Sequence, residues 1–78
     1  MEIVLAMPSN IRALFGKRIR ELRLKRKFSQ EKLSELAGLH PTYISNIENG
    51  KRNIGIEIAV KLARALNVDV GQLFKGVH

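Results

Sequence analysis

The stretch from Ser29 to Asn53, SQEKLSELAGLHPTYISNIENGKRN, constrains the chain most: it holds two short helical patterns joined by a glycine and leaves one helical face with no role in a core. Ser29 is a good N-cap, and Leu33, Leu36 and Ala37 then fall on one helical stripe before Gly38, a residue free to take positive φ. Pro41 suits the first position of the next helix, where its missing N–H is not needed, and the segment to Asn49 reads as one short helix ended by Gly50. At about 100° per residue, Ile44, Ile47 and Glu48 fall on one side of it. Thr42, Ser45, Asn46 and Asn49 fall on the other, with Tyr43 on the flank. So short a helix is not stable alone in water, so its apolar side must be held against its predecessor. A row of small hydrogen-bonding side chains is then left facing outward.

Two helices joined by a short turn containing glycine, the second bearing such a row, make the helix-turn-helix pattern, whose second helix enters the major groove of DNA. The charge agrees with a polyanionic partner: 14 Lys and Arg against 7 Asp and Glu give a formal net charge of +7. With 78 residues the chain has room for one domain and one small core, which an oligomeric partner would help to stabilise. There is no cysteine, so neither a disulfide nor a thiolate site is available. The early apolar run Ile3 to Met7 is too short to span a membrane and lacks the basic flank of a secretory signal, so a soluble cytoplasmic protein is expected.

Residues 1–8 read as a tail, with a partner-packing arm as the alternative, and residues 9–78 as the domain. Ser9 or Asn10 can cap a first helix running to about Lys27, its apolar positions being Ile11, Leu14, Phe15, Ile19 and Leu22. Its other face, with Arg12, Lys17, Arg18, Arg20, Lys25, Arg26 and Lys27, supplies mostly long-range field. On the second short helix, Thr42 can bond a base edge and offer its methyl to thymine, and Asn46 can bond adenine through two hydrogen bonds. Tyr43 can meet sugar or thymine with its ring, or else lock the helix down as a half-buried aromatic. Ser45 and His40 are placed at the DNA backbone, and Asn49, Lys51, Arg52 and Asn53 form a loop suited to phosphates.

From Ile56 to Leu66 the pattern is helical with Glu57, Lys61 and Arg64 on one narrow polar face, so this helix is buried on more than one side. Gly55 starts it weakly, Asn67 stops it, and Asp69 caps a last short helix through Phe74. The C-terminal third carries more apolar surface than one small core needs. Ile58, Leu62, Val70, Leu73, Phe74 and Val77 are assigned to a two-fold dimer interface. The fold expected is all-α, five short helices in one domain.

From about Ile19 to Phe74, above all in LRLKRKFSQEKLSELAG and YISNIENGKRN, the sequence resembles the phage-repressor and Cro-like helix-turn-helix family. Within it, Thr42, Tyr43, Ile44-Ser45 and the GKRN tail resemble the controller proteins of restriction–modification systems. The resemblance implies a lambda-repressor-like fold, an ion pair between Arg23 and Glu48, and a phosphate contact by Gln30. At Pro41 the controller proteins often have an arginine that reads guanine; proline has no donor, which leaves base reading there open. The function implied is a transcription regulator, a homodimer on a palindromic double-stranded DNA operator, with RNA polymerase as a further candidate partner.

Phage-type repressor and antitoxin are alternatives within the class. An adaptor binding anionic membrane or a protein partner through the basic helix is the alternative outside it, although that helix lacks Trp and needs its apolar stripe for the core. No enzyme is expected, nor any cofactor or metal: His40 and His78 lie far apart, and neither a nucleophile–base constellation nor a phosphate-binding glycine loop is visible.

Overall fold

The computed structural model describes the backbone of residues 3–78 and the side chains of residues 10–78. The described residues form five helices, α1 (Ile3–Lys25), α2 (Gln30–Ala37), α3 (Pro41–Glu48), α4 (Ile56–Leu66) and α5 (Val70–Leu73), with no strand among them. Neither Ser9 nor Asn10 caps α1, since both lie inside it. Pro8 lies inside the helix, in its second turn, where it gives up the bond to the carbonyl four residues back without ending the helix. The tail expected over residues 1–8 is therefore helical in backbone from Ile3; Met1 and Glu2, and the side chains through residue 9, lie outside the described residues. At the other end α1 stops at Lys25, short of the expected Lys27, because Lys27 turns left-handed at φ 59° and the Phe28 N–H folds back to the Arg23 carbonyl at 3.1 Å.

Local chemistry sets the remaining boundaries. Ser29 Oγ accepts from the Lys32 N–H at 2.9 Å, and Gly38 closes α2 at φ 70°. His40 caps α3 through Nδ1, which accepts from the Thr42 N–H at 3.1 Å, and Pro41 follows in the first turn. Gly55 gives α4 no side-chain cap, Asn67 ends it in the left-handed region at φ 57°, and Asp69 Oδ1 caps α5 through the Gln72 N–H at 3.1 Å.

One core joins all five helices: Phe15, Ile19 and Leu22 of α1, Leu33 and Ala37 of α2, Ile44 and Ile47 of α3, Ala59, Leu62, Ala63 and Leu66 of α4, and Leu73 of α5. Two residues of the expected stripes are exposed. Leu36 is exposed because the buried set of α2, Leu33, Ser34 and Ala37, centres the inward direction roughly 100° away from it. Ile56 is 83% exposed, since as the first residue of α4 it has no preceding turn to shield it. The assignment of Leu62 and Leu73 to a dimer interface is corrected in the same way: both are fully buried among the other helices of this chain, where no partner can touch them.

Gly16 determines how closely α1 and α3 approach. A Cβ built there would fall 2.3 Å from the Ile47 carbonyl oxygen and 2.7 Å from that of Glu48, so the backbone of α1 rests directly on the end of α3. One turn earlier Ala13 lies against Gly50, which has φ 74°.

Candidate nucleic-acid interface

α3 is held on its inner side by three residues. Ile44 and Ile47 are buried in the core, and Glu48 turns inward to meet Arg23 of α1. Arg23 Nε donates to Glu48 Oε2 at 2.6 Å and Nη2 donates to Oε1 at 3.1 Å, a two-pronged pair, while Nη1 donates to the Phe28 carbonyl at 2.8 Å. Gln30 Nε2 completes the set by donating to Glu48 Oε1 at 3.0 Å. Gln30 is thus half-buried and engaged within the protein, and it lines the groove between α2 and α3 rather than standing free for a phosphate.

The opposite side of α3 carries the candidate readers. Thr42 is fully outward, Ser45 and Asn46 are half-exposed, and Asn49 is exposed at the C-cap. Thr42 and Ser45 share the groove with Ser29, Gln30, Glu31, Pro41 and Arg23. His40 is exposed at the start of α3; because Nδ1 serves as the cap acceptor, the ring proton sits on Nε2 and is available to an outside acceptor. Tyr43 packs partly on the core, and the guanidinium carbon of Arg52 lies 4.5 Å from its ring centre. Of the two roles the sequence leaves open for Tyr43, the structure bears on the packing one, since the ring is half-buried against the core.

Lys51, Arg52 and Asn53 are all exposed on the turn after α3, where the Lys51 N–H bonds the Asn46 carbonyl at 2.9 Å. Arg12 of α1 reaches this turn, its Nη1 donating to Asn53 Oδ1 at 3.3 Å. The candidate readers of α3 and the exposed cations of the turn are thus consecutive in the chain from Thr42 to Asn53.

Away from this surface, Ile54, Gly55, Ile56, Ala59, Val60, Val70 and Phe74 line an apolar groove. Val70 and Phe74, both assigned to an interface, are exposed there; Ile58 and Val77 are half-buried against the core. Phe74 also stacks on Phe15, ring centres 5.1 Å apart. Ile54, Ile56 and Val60 were missed as members of this patch, although Ile56 at the first position of its helix was the available signal. No helix among the described residues is long and apolar enough to cross a membrane, and no group of three or more His, Asp or Glu is gathered among them.

Residues 19–73 match the profile of the helix-turn-helix family. The chain is 49% identical over 63 residues to the control protein C.BamHI of Bacillus amyloliquefaciens, covering 80% of this chain and 78% of that one. It superposes on the crystal structure of the restriction–modification controller protein C.AhdI from Aeromonas hydrophila with a TM-score of 0.79 and 41% identity, over 81% of this chain and 96% of that one. The controller protein C.Esp1396I, solved as a tetramer on its natural 35 base-pair operator, matches with a TM-score of 0.78 and 28% identity over 86% and 88% of the two chains. The chain belongs to the helix-turn-helix family, among the restriction–modification control proteins.

Proposed function

We propose that this protein is a sequence-specific DNA-binding transcription regulator that acts as a homodimer on a palindromic operator, in the manner of a restriction–modification controller. The observation that carries the reading is the division of α3: Ile44, Ile47 and Glu48 hold it to the core, while Thr42 is exposed, Ser45 and Asn46 are half-exposed, and Lys51 and Arg52 are exposed on the turn that follows. Thr42, Tyr43 and Asn46 read bases; His40, Ser45, Asn49, Lys51, Arg52 and Asn53 meet the backbone. Gln30 contributes at the edge of the groove only by exchanging its bond to Glu48 for one to a phosphate. Two recognition helices related by a two-fold axis would enter major grooves about 34–36 Å apart. The regulated genes include its own and a linked restriction endonuclease, RNA polymerase is the further partner, and the site of action is the cytoplasm.

The test is selection from a pool of random duplexes, followed by salt-dependent titration of wild type and Thr42→Ala/Asn46→Ala on the enriched site. The expected result is an enriched palindrome whose preference over random DNA falls by about 2–4 powers of ten in the double variant, while residual binding keeps its steep salt slope. No enrichment, with the variant indistinguishable from wild type, would leave only generic charge and overturn the reading.

A further inference from the structure

Of the basic residues of α1, Lys17, Arg20 and Lys25 are exposed, whereas Arg12, Arg18 and Arg23 each bond to a distant part of the fold, and Arg12 alone reaches the turn after α3. It immediately precedes Ala13, which lies against Gly50, at the start of the part of α1 that rests on α3 and the following turn. Its Nε is buried with no hydrogen-bond partner among the described residues, and its Nη1 donates to Asn53 Oδ1, 41 positions further along the chain. Arg12, Arg52 and Asn53 also share the wall of one small cleft with Phe15, Ile54 and Phe74. Burying an Arg Nε without an acceptor is unfavourable, so an arginine kept there calls for a role beyond packing.

The chemistry of the contact supplies one. A guanidinium can only donate, so it selects the oxygen of the Asn53 amide and turns Nδ2 the other way. A phosphate can only accept, so it needs Nδ2. Free of Arg12, the amide would present either end.

We infer that Arg12 is a positioning residue for DNA backbone contact: by holding Asn53 Oδ1 it fixes the Asn53 amide with its N–H2 group toward a phosphate oxygen. This rests on the proposed DNA-binding reading and adds to it the means by which α1, outside the helix-turn-helix, sets the polarity of the turn. Arg12 acts through Asn53 and donates no bond of its own to DNA.

The experiment is a double-variant cycle on the enriched duplex with Arg12→Met, Asn53→Ala and the two combined, with Arg20→Met as the control for losing one exposed positive charge from the same helix. Asn53→Ala should weaken binding by about three- to tenfold. Arg12→Met should weaken it by a similar factor beyond the Arg20→Met control, and the combined variant should be no worse than Asn53→Ala plus that control. Additive losses would show that Arg12 acts independently of Asn53 and would overturn the inference. An effect no larger than the Arg20→Met control would overturn it as well. If Asn53→Ala binds like wild type, the backbone contact assigned to Asn53 fails while base reading by Thr42 and Asn46 can still stand. A measurement on the unaltered protein guards against an Arg12 variant that does not fold: on titration with the duplex, the Asn53 side-chain N–H2 signals in a nitrogen–proton NMR spectrum should shift as one bound species. Signals unmoved at saturation would equally overturn the inference.

Discussion

Arg23 and Glu48 are charged, yet their side chains are only 9% and 3% exposed, which makes them the residues on which the geometry of the interface is most sensitive. The pair is fully bonded: Glu48 receives Arg23 twice and Gln30 once, and Arg23 spends its third prong on the Phe28 carbonyl. Such a pair adds little net stability over an apolar one, because withdrawing both charges from water offsets most of their attraction. Removing one partner is another matter. Arg23→Met should cost about 3–5 kcal/mol in urea unfolding, because Glu48 is then left buried and unpaired, whereas Arg23→Met/Glu48→Met should recover most of that loss. If the single and double variants are equally destabilised, the cost is packing and not charge. What the pair supplies is orientation, since its two-pronged geometry ties α1 to the end of α3 in one arrangement.

At the scale of the elements, Gly16 is the position where two helices meet most closely. On propensity alone, Gly16→Ala should stabilise α1 by up to about 1 kcal/mol. The added methyl would instead sit 2.3 Å from a backbone oxygen that has no room to move, so the sign reverses and a net loss of about 1–3 kcal/mol is expected, read as a lower midpoint in thermal or urea unfolding. A gain would mean that α1 and α3 can separate without consequence. Nothing in the sequence announces this contact, because a glycine inside a helical pattern reads only as a weak point. The boundaries of α2 to α5 were legible, since Ser29, Gly38, Pro41, Asn67 and Asp69 act on backbone groups a few residues away. The start of α1 was misread because Pro8 looks like punctuation. The engagement of Gln30 and the grip of Arg12 on Asn53 were hidden for a common reason: both depend on distances across the fold, which periodicity does not contain. Leu62 and Leu73 were misassigned because an apolar surplus gives a quantity of buried surface and not its direction.

For the whole molecule, the apolar groove around Ile54, Ile56, Val60, Val70 and Phe74 is the surface on which the proposed two-fold assembly would close. Phe74 is a poor probe because its ring also stacks on Phe15. Ile56 is a clean one, being almost free of its own fold. In a two-fold interface it would be buried twice, so Ile56→Lys should raise the dimer dissociation constant roughly a hundredfold or more in sedimentation equilibrium while leaving the circular dichroism spectrum unchanged. Unaltered association would move the interface elsewhere. The molecule also divides at α3 in a way that bears on how such proteins diversify. Its eight residues are split between a side answerable to the core and a side answerable to nothing within the chain. Thr42, Ser45 and Asn46 can therefore be rewritten at little expense in stability, so a lineage carrying this scaffold can acquire a new operator by drift at a few outward letters and need not re-solve its folding problem.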